Sequence, residues 1–504
     1  MFDFFKKYHK WLSIIFAFFI IIFSISGIIL NHRQGLSSLS ISRNALPSEY
    51  KLFNWNNAAV KASIKISDNR FLLYGNIGIW ETDSNFIKYT DFNNGLPLGI
   101  DNRKICTLFK SSNNELFAGT FFGLYKLDNK SSKWQSIAIP THEQRVVDII
   151  EKDNKLLFMT RSHLVISNSD LSNMEIKTLP SPENYDNKIS LFKTLWTIHS
   201  GEIFGTIGKL FVDLMGLVFI FLTVTGVILF INKRRLKPRV KAKKSIVRIA
   251  SINMWNLKWH NKIGWVFTFF LIITTSTGIF LRPPLLIPIA DAKVGKIPGT
   301  ELASTNAWFD KLRRIIYDED DKRFIVATLD GIYYSDDNFN SELKAYKHQP
   351  PASVMGVNVF HKIAPHTFMI GSFEGLFTWD TEDGFIMDYI KKIPYVKPEI
   401  KGPPIGDYLV TGYSNDFYKG EVAFLYNKGA LNISNSYEFP EPTGNIISSF
   451  RMSLWNLALE LHTGRFYSFI IGIFYIFVVP LSGFAILFIL ISGFYVWWNM
   501  YRGM

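Results

Sequence analysis

Four membrane-length apolar runs constrain this 504-residue chain more than any other feature, because each opens near a histidine and ends near a Ser-Gly or Thr-Gly. His9 leads WLSIIFAFFIIIFSISGIIL, and the glycine of Ser26-Gly27 stands eighteen residues on. His260 leads NKIGWVFTFFLIITTSTGIFL, and the glycine of Thr277-Gly278 again stands eighteen residues on. A second pair shares another mark, His199-Ser200-Gly201 and His462-Thr463-Gly464, each ahead of a long apolar run that ends near Thr225-Gly226 or Ser492-Gly493. Packing alone does not require one histidine per span at repeated spacing. Paired imidazoles in the membrane are what a bis-histidine haem needs.

The runs 11–30, about 210–231, 263–281 and about 466–498 are each long enough for a hydrocarbon layer of ~30 Å. Asn31-His32-Arg33 offers no small-residue cleavage site, so the first run reads as an uncleaved anchor. Between the second and third runs lies INKRRLKPRVKAKKSIVR, and Lys6, Lys7 and Lys10 precede the first. The positive-inside rule then puts the N-terminus, the loop 233–259 and the tail Trp497 to Met504 in the cytoplasm. The segments 33–198 and 283–455 lie outside, as periplasmic domains of a multi-pass protein of the bacterial inner membrane. The predicted divisions are 1–32 with span one, 33–198, span two in 199–232, the loop 233–259, span three in 260–282, 283–455, and 456–504 with span four.

The net charge of +13 sits largely in the cytoplasmic segments, which accounts for it by topology and anionic lipid, without nucleic acid. A single cysteine, Cys106, excludes a disulfide framework, a Cys-ligated iron–sulfur cluster and a covalent c-type haem. No dinucleotide or Walker fingerprint is present. Any cofactor must be held by histidine and by shape.

The outer segments read as strands. A core of apolar strand, Gly-bearing turn and aromatic strand recurs at 71–80, 116–125, 324–333 and 368–379. Spacing of about 40–50 residues fits four-stranded propeller blades, three in each segment. One composite propeller made from both segments hides its sheet edges, which two halves would expose. Trp80, Tyr125, Tyr333 and Trp379 are expected in its core. His142, His163, His348, His361 and His366 share no ligand spacing, apart from His361 and His366 five residues apart, and are expected as surface or core residues.

The chain thus reads as a duplicated two-helix unit, with both copies in one orientation and a pseudo-two-fold along the membrane normal. That symmetry sets His9 against His260 on the cytoplasmic side and His199 against His462 outside, the expected axial ligands of two b-type haems. The Ser-Gly and Thr-Gly pairs are expected to let helices or a flat macrocycle approach the backbone. Facing pairs divided by the bilayer cannot give four ligands to one zinc ion. His32, whose repeat mate is Pro283, is a further candidate external ligand. If span two occupies 211–231, His199 lies ~18 Å of helix above the apolar slab, with Lys209 and Asp213 as an interfacial pair. Pro480 is expected to kink span four.

Four of these pieces, YHKWLSIIFAFFIIIFSISGIILNH, IHSGEIFGTIGKLFVDLMGLVFIFLTVTGVILF, WHNKIGWVFTFFLIITTSTGIFL and LHTGRFYSFIIG with LILISGFYVWW, resemble the PepSY-associated transmembrane-helix family. That family comprises iron-regulated inner-membrane proteins and includes ferric-siderophore reductases. The resemblance covers the membrane core and implies a four-helix, haem-binding reductase with ligands at His9, His199, His260 and His462, and with His32 as a candidate. The chain departs from the family in carrying blades outside where small PepSY modules are usual.

The expected function is transmembrane electron transfer through two haem b groups. The donor would be a quinol or a cytoplasmic reductase, and the acceptor outside a ferric chelate or redox partner. The alternative is a non-catalytic, membrane-anchored propeller that binds or senses a ligand.

Overall fold

The computed structural model describes residues 1–353, 355–397 and 405–501. They form two units, each assembled from segments distant in sequence: Met1–Leu36, Asn187–Ala303 and Leu454–Met504 in one, Ser37–Asp186 and Ser304–Ser453 in the other. The helices are α1 (Phe2–Asn31), α2 (Leu191–Ser200), α3 (Gly205–Lys241), α4 (Val247–Ile279), α5 (Gly444–Ser449), α6 (Leu454–His462), α7 (Ser468–Ile471) and α8 (Val478–Tyr501). All but α5 belong to the first unit. Four helical segments, Phe2–Asn31, Glu202–Lys241, Val247–Ile279 and Arg465–Tyr501, are long and apolar enough to cross a membrane. The protein is a multi-pass membrane protein with an additional all-β unit.

In the first unit α1 packs on α3 and α8, and α4 packs on the same two helices. Ile20, Met215, Val218, Leu271, Ile486, Ile489 and Leu490 fill the centre. Apolar side chains gain little by leaving lipid, so small residues that bring backbones together carry the association. A Cβ on Gly216 would stand 3.2 Å from Ile28, and one on Gly483 would stand 3.2 Å from Ile279.

One expectation about helix continuity is overturned. The helix bearing His199 does not run straight into α3, because Gly201 (φ +79°, ψ −4°) ends α2, a 3₁₀ turn covers Glu202–Phe204, and Gly205 (φ +59°, ψ −139°) starts α3. The same device follows His462, with Gly464 at φ +76°, ψ −6° and Gly472 at φ +54°, ψ −138°. Only glycine adopts these conformations at little cost. His199 is therefore carried back along α4 instead of ~18 Å beyond α3. Pro480 is the third residue of α8, directly after a 3₁₀ stretch over Gly472–Phe477. The basic stretch predicted as a loop over 233–259 is mostly helix, with α3 continuing to Lys241 and α4 starting at Val247. Lys and Arg are good helix formers, and their charge selects a side of the membrane without dictating a loop.

The second unit holds six larger sheets among the described residues, each an antiparallel meander. They open with Val60–Ser67, Ile105–Lys110, Val146–Lys152, Leu312–Asp318, Val359–Ala364 and Val410–Ser414. The first four have four strands, the fifth has five and the sixth has three. Each opening strand contacts the opening strand of the next sheet, and the sixth returns to the first. The recurring hairpin has a hydroxyl clasp: Thr120 Oγ1 donates to the Gly123 carbonyl (2.9 Å), Thr160 Oγ1 to that of His163 (3.1 Å) and Thr328 Oγ1 to that of Gly331 (2.8 Å).

Both chain segments contribute to shared cores. Trp55, Phe71 and Phe86 pack with Phe417, Phe424 and Phe439, while Val147, Leu157 and Met159 pack with Trp308, Phe324 and Phe339. Trp80, Tyr125 and Trp379 are buried, and Tyr333 is partly buried against Trp308.

Candidate cofactor site: two histidine pairs between the helices

The structure brings the four span histidines together in twos. The rings of His9 on α1 and His260 on α4 have centroids 6.4 Å apart. Those of His199 on α2 and His462 on α6 are 5.9 Å apart. From His9 to Gly27, which touches the second pair, α1 rises ~27 Å, so the two layers lie near opposite ends of the bundle.

Each ring is fixed by its Nδ1 to a neighbouring helix. His9 Nδ1 donates to the Ile489 carbonyl (2.9 Å), with Ser492 Oγ at 3.3 Å. His260 Nδ1 meets Thr225 Oγ1 at 2.9 Å. That hydroxyl sends its own proton to the Phe221 carbonyl (2.8 Å), so it accepts from the imidazole. His199 Nδ1 donates to the Thr274 carbonyl (2.8 Å), and His462 Nδ1 to the Phe23 carbonyl (3.1 Å) and Ser26 Oγ (3.0 Å). A carbonyl can only accept, so Nδ1 carries a proton, and in the neutral ring Nε2 is then the nitrogen with the lone pair. No hydrogen bond to any of the four Nε2 atoms occurs among the described residues.

The glycines of the Ser-Gly and Thr-Gly pairs lie directly against these rings. A Cβ on Gly493 would stand 2.9 Å from His9 Cε1, and one on Gly226 would stand 3.5 Å from His260 Cε1. On Gly278 it would lie 2.7 Å from His199 Cε1, and on Gly27 it would lie 3.4 Å from His462 Cε1. Each histidine thus rests on the glycine of another helix, and the hydroxyl or carbonyl beside that glycine holds its Nδ1. The sequence carried this signal, four histidines and four such dipeptides, but not which belonged with which.

The donor set and spacing fit a metal ion between each pair. Two metal–imidazole bonds take up roughly 4 Å, which leaves about 1 Å on each side for the distance from nitrogen to ring centre. Two anchored neutral imidazoles with their Nε2 atoms available are what a hexacoordinate haem iron accepts.

His32 is not brought to either pair. Its Nε2 lies 2.7 Å from Asp213 Oδ2, and Asn31 Nδ2 donates to Asp213 Oδ1 (2.8 Å). The Lys209–Asp213 pair does not form, because the turn at Gly201 brings Asn31 and His32 to that carboxylate instead. Asn31 also reaches the carbonyls of Ser200 (3.3 Å) and Lys209 (3.5 Å). In the β unit His361 packs against Tyr413, with ring centroids 5.9 Å apart. His366 joins Asp318 and Asp321 in a cluster that its sequence spacing did not reveal.

Among solved structures, the chain is similar to the extracellular domain of a hybrid two-component system from B. thetaiotaomicron, at 10% identity over 78% of this chain and 34% of that one, with a TM-score of 0.37. It is also similar to a protein of unknown function from Bacteroides thetaiotaomicron, at 11% identity over 78% of this chain and 74% of that one (TM-score 0.36). A third is PorZ, a surface component of the type-IX secretion system of Porphyromonas gingivalis, at 12% identity over 77% of this chain and 33% of that one (TM-score 0.30). The chain spans about a third of the length of the first and third of these proteins. No curated protein matches it. The family described as the PepSY-associated TM region matches residues 6–499, which take in all four spans and both ring pairs, and the chain belongs to that family.

Proposed function

We propose that the protein is a haem-containing reductase of the bacterial inner membrane. It would carry electrons from a quinol or cytoplasmic reductase to an acceptor outside, such as a ferric chelate. The observation that carries this reading is the two facing imidazole pairs, each Nδ1 tied to a neighbouring helix and each ring separation fitting one ion between. When bound, haem b supplies a one-electron couple near each end of the bundle. His9 and His260 would hold one group, and His199 and His462 the other. Thr225, Ser26 and the carbonyls of Phe23, Thr274 and Ile489 orient these rings and make their Nε2 atoms the better donors. The glycines keep the helices close enough for the rings to meet.

The chain is best explained as a tandem duplication. Gly201 and Gly464, and then Gly205 and Gly472, repeat the same backbone angles. The Gly216–Ile28 contact recurs as Gly483–Ile279. The six sheets are best read as blades of one propeller, supported by the contacts that run from each opening strand to the next and back to the first. The basic segments support a reading with both termini in the cytoplasm and the β unit in the periplasm.

The deciding experiment is an absorption spectrum of the full chain purified from haem-replete cells. A Soret band, with a reduced α-band after dithionite and two haems per chain, is expected. A folded protein with neither band would end this reading.

A further inference from the structure

The turn between Leu312–Asp318 and Arg323–Thr328 reads Asp318-Glu319-Asp320-Asp321-Lys322, and it lies beside the turn that carries His366 in the next sheet. One oxygen each of Asp318 and Asp321 and one ring nitrogen of His366 fall within 4.8 Å of one another. His366 Nδ1 is 3.3 Å from Asp321 Oδ1. Asp318 is fully buried. Its Oδ1 accepts from Lys362 Nζ, but its Oδ2, also buried, makes no hydrogen bond among the described residues. A buried carboxylate oxygen without a donor bears the full cost of its lost hydration, and a cation beside it removes that cost.

The charges around this point leave room for one. Asp318, Asp320 and Asp321 stand against Lys362, which also holds Asp320 Oδ2 at 2.6 Å, and against Arg323. The Arg323 Nε is 3.7 Å from Asp321 and 3.2 Å from Asp336, so its charge is shared with a fourth carboxylate. Because Lys362 occupies only one oxygen of Asp318, the other is available without displacing it.

We propose that Asp318, Asp321 and His366 form a site for a divalent transition-metal ion in the β unit, independent of the membrane histidines. Two carboxylate oxygens with one imidazole nitrogen suit Zn²⁺, Mn²⁺ or Fe²⁺, whereas Ca²⁺ and Mg²⁺ favour all-oxygen shells. Bonds of about 2.0–2.2 Å put tetrahedral ligand atoms roughly 3.5 Å apart, so the three groups need close by only about 1 Å. His366 and Asp321 are partly exposed, which gives an ion a path from solvent and leaves a fourth position for water or an external ligand. Two ligands come from the fourth sheet and one from the fifth, so the ion clips neighbouring sheets together.

The test uses untagged full-length protein in detergent, stripped with chelator and titrated with Zn²⁺ by calorimetry, with Co²⁺ absorption as a second readout. His366→Ala and Asp321→Asn should each remove one high-affinity site or weaken it at least about tenfold, and should abolish the corresponding Co²⁺ band. Asp321→Asn changes a partly exposed side chain in a turn, so it serves if His366→Ala fails to fold. Zn²⁺ stoichiometry and affinity unchanged in either folded variant would overturn the proposal. So would Ca²⁺ binding here in preference to Zn²⁺.

Discussion

Gly278 has no room for a β-carbon because the imidazole of His199 fills its place: a Cβ would lie 2.7 Å from Cε1 and 3.0 Å from Nδ1. The ring cannot simply swing away, since that Nδ1 is tied to the Thr274 carbonyl one turn back on the same helix. Gly278→Ala is therefore expected to cost about 1–3 kcal/mol by overpacking and, on the proposed function, to lower haem at the His199–His462 pair. Its repeat mate Gly27 leaves 3.4 Å to His462, an ordinary contact. Gly27→Ala should be close to neutral, helped by the better helix propensity of alanine. Equal losses of haem per chain in the two variants would contradict the geometry.

The inner pair allows a finer separation. His260 Nδ1 has the Thr225 hydroxyl at 2.9 Å beside the Leu222 carbonyl, whereas His9 has the Ile489 carbonyl at 2.9 Å and the Ser492 hydroxyl only at 3.3 Å. Thr225→Val keeps the shape and removes the hydroxyl acceptor, leaving the Leu222 carbonyl. On the proposed function it should weaken haem at the His9–His260 pair by about 10–100-fold and shift that group's reduction potential. Ser492→Ala should do neither. A potentiometric titration of both variants distinguishes them, and an unshifted inner couple in Thr225→Val would refute the orienting role.

Much of the membrane core was legible in the sequence because its marks are local. A span needs about twenty apolar residues, and a histidine eighteen residues from a glycine is the same distance along any helix. His9 and His260 carry the same spacing to their glycines, and they are the two whose rings meet. What was not legible depends on chain direction after a break. Gly201 looks like an ordinary member of a His-Ser-Gly motif, and only its positive φ shows that α2 turns back along α4. Lys209 and Asp213 have the spacing of a helical ion pair, yet a residue 181 positions away, His32, takes the carboxylate. In the β unit the third hairpin is masked in the sequence because His163 stands where Gly123 and Gly331 stand in two others, although Thr160 clasps it in the same way. The cluster at Asp318 comes from two sheets, and no spacing within one strand announces it.

His361 gives the β unit a pH dependence of definite sign. Burial, and then the nearby Arg314 guanidinium, pushes its pKa down to about 4 from 6.5. The unfolded chain binds a proton on this residue between those values and the folded chain does not. Stability present above about pH 6.5 is therefore lost as the pH falls towards 4. The ceiling is on the order of 3 kcal/mol, and the ring is only partly buried, so water at its open edge reduces the effect. Melting temperatures at pH 7 and pH 5 should differ more in the wild type than in His361→Gln. A parallel decline in both would assign the acid sensitivity elsewhere.

The two chain segments of the β unit should not fold separately. Trp55 is fully buried, with its indole Nε1 donating to the Pro440 carbonyl at 2.7 Å. Trp308 does the reverse across the other junction, donating to the Pro180 carbonyl at 2.6 Å. Each segment thus places a large aromatic in a core that the other completes, and each ends in opening strands whose neighbours belong to the other half. Cut apart, residues 37–186 would expose Trp55, Phe71 and Phe86 together with a sheet edge, a combination that favours aggregation over a stable monomer. Expressed alone, this segment is expected to be insoluble or rapidly proteolysed, and co-expression with residues 304–453 should rescue a protease-resistant complex. Trp55→Ala in the full chain should destabilise the unit by about 3–5 kcal/mol. A soluble, monomeric, cooperatively melting 37–186 fragment would show that the halves are independent, and that the shared cores are contacts between finished domains.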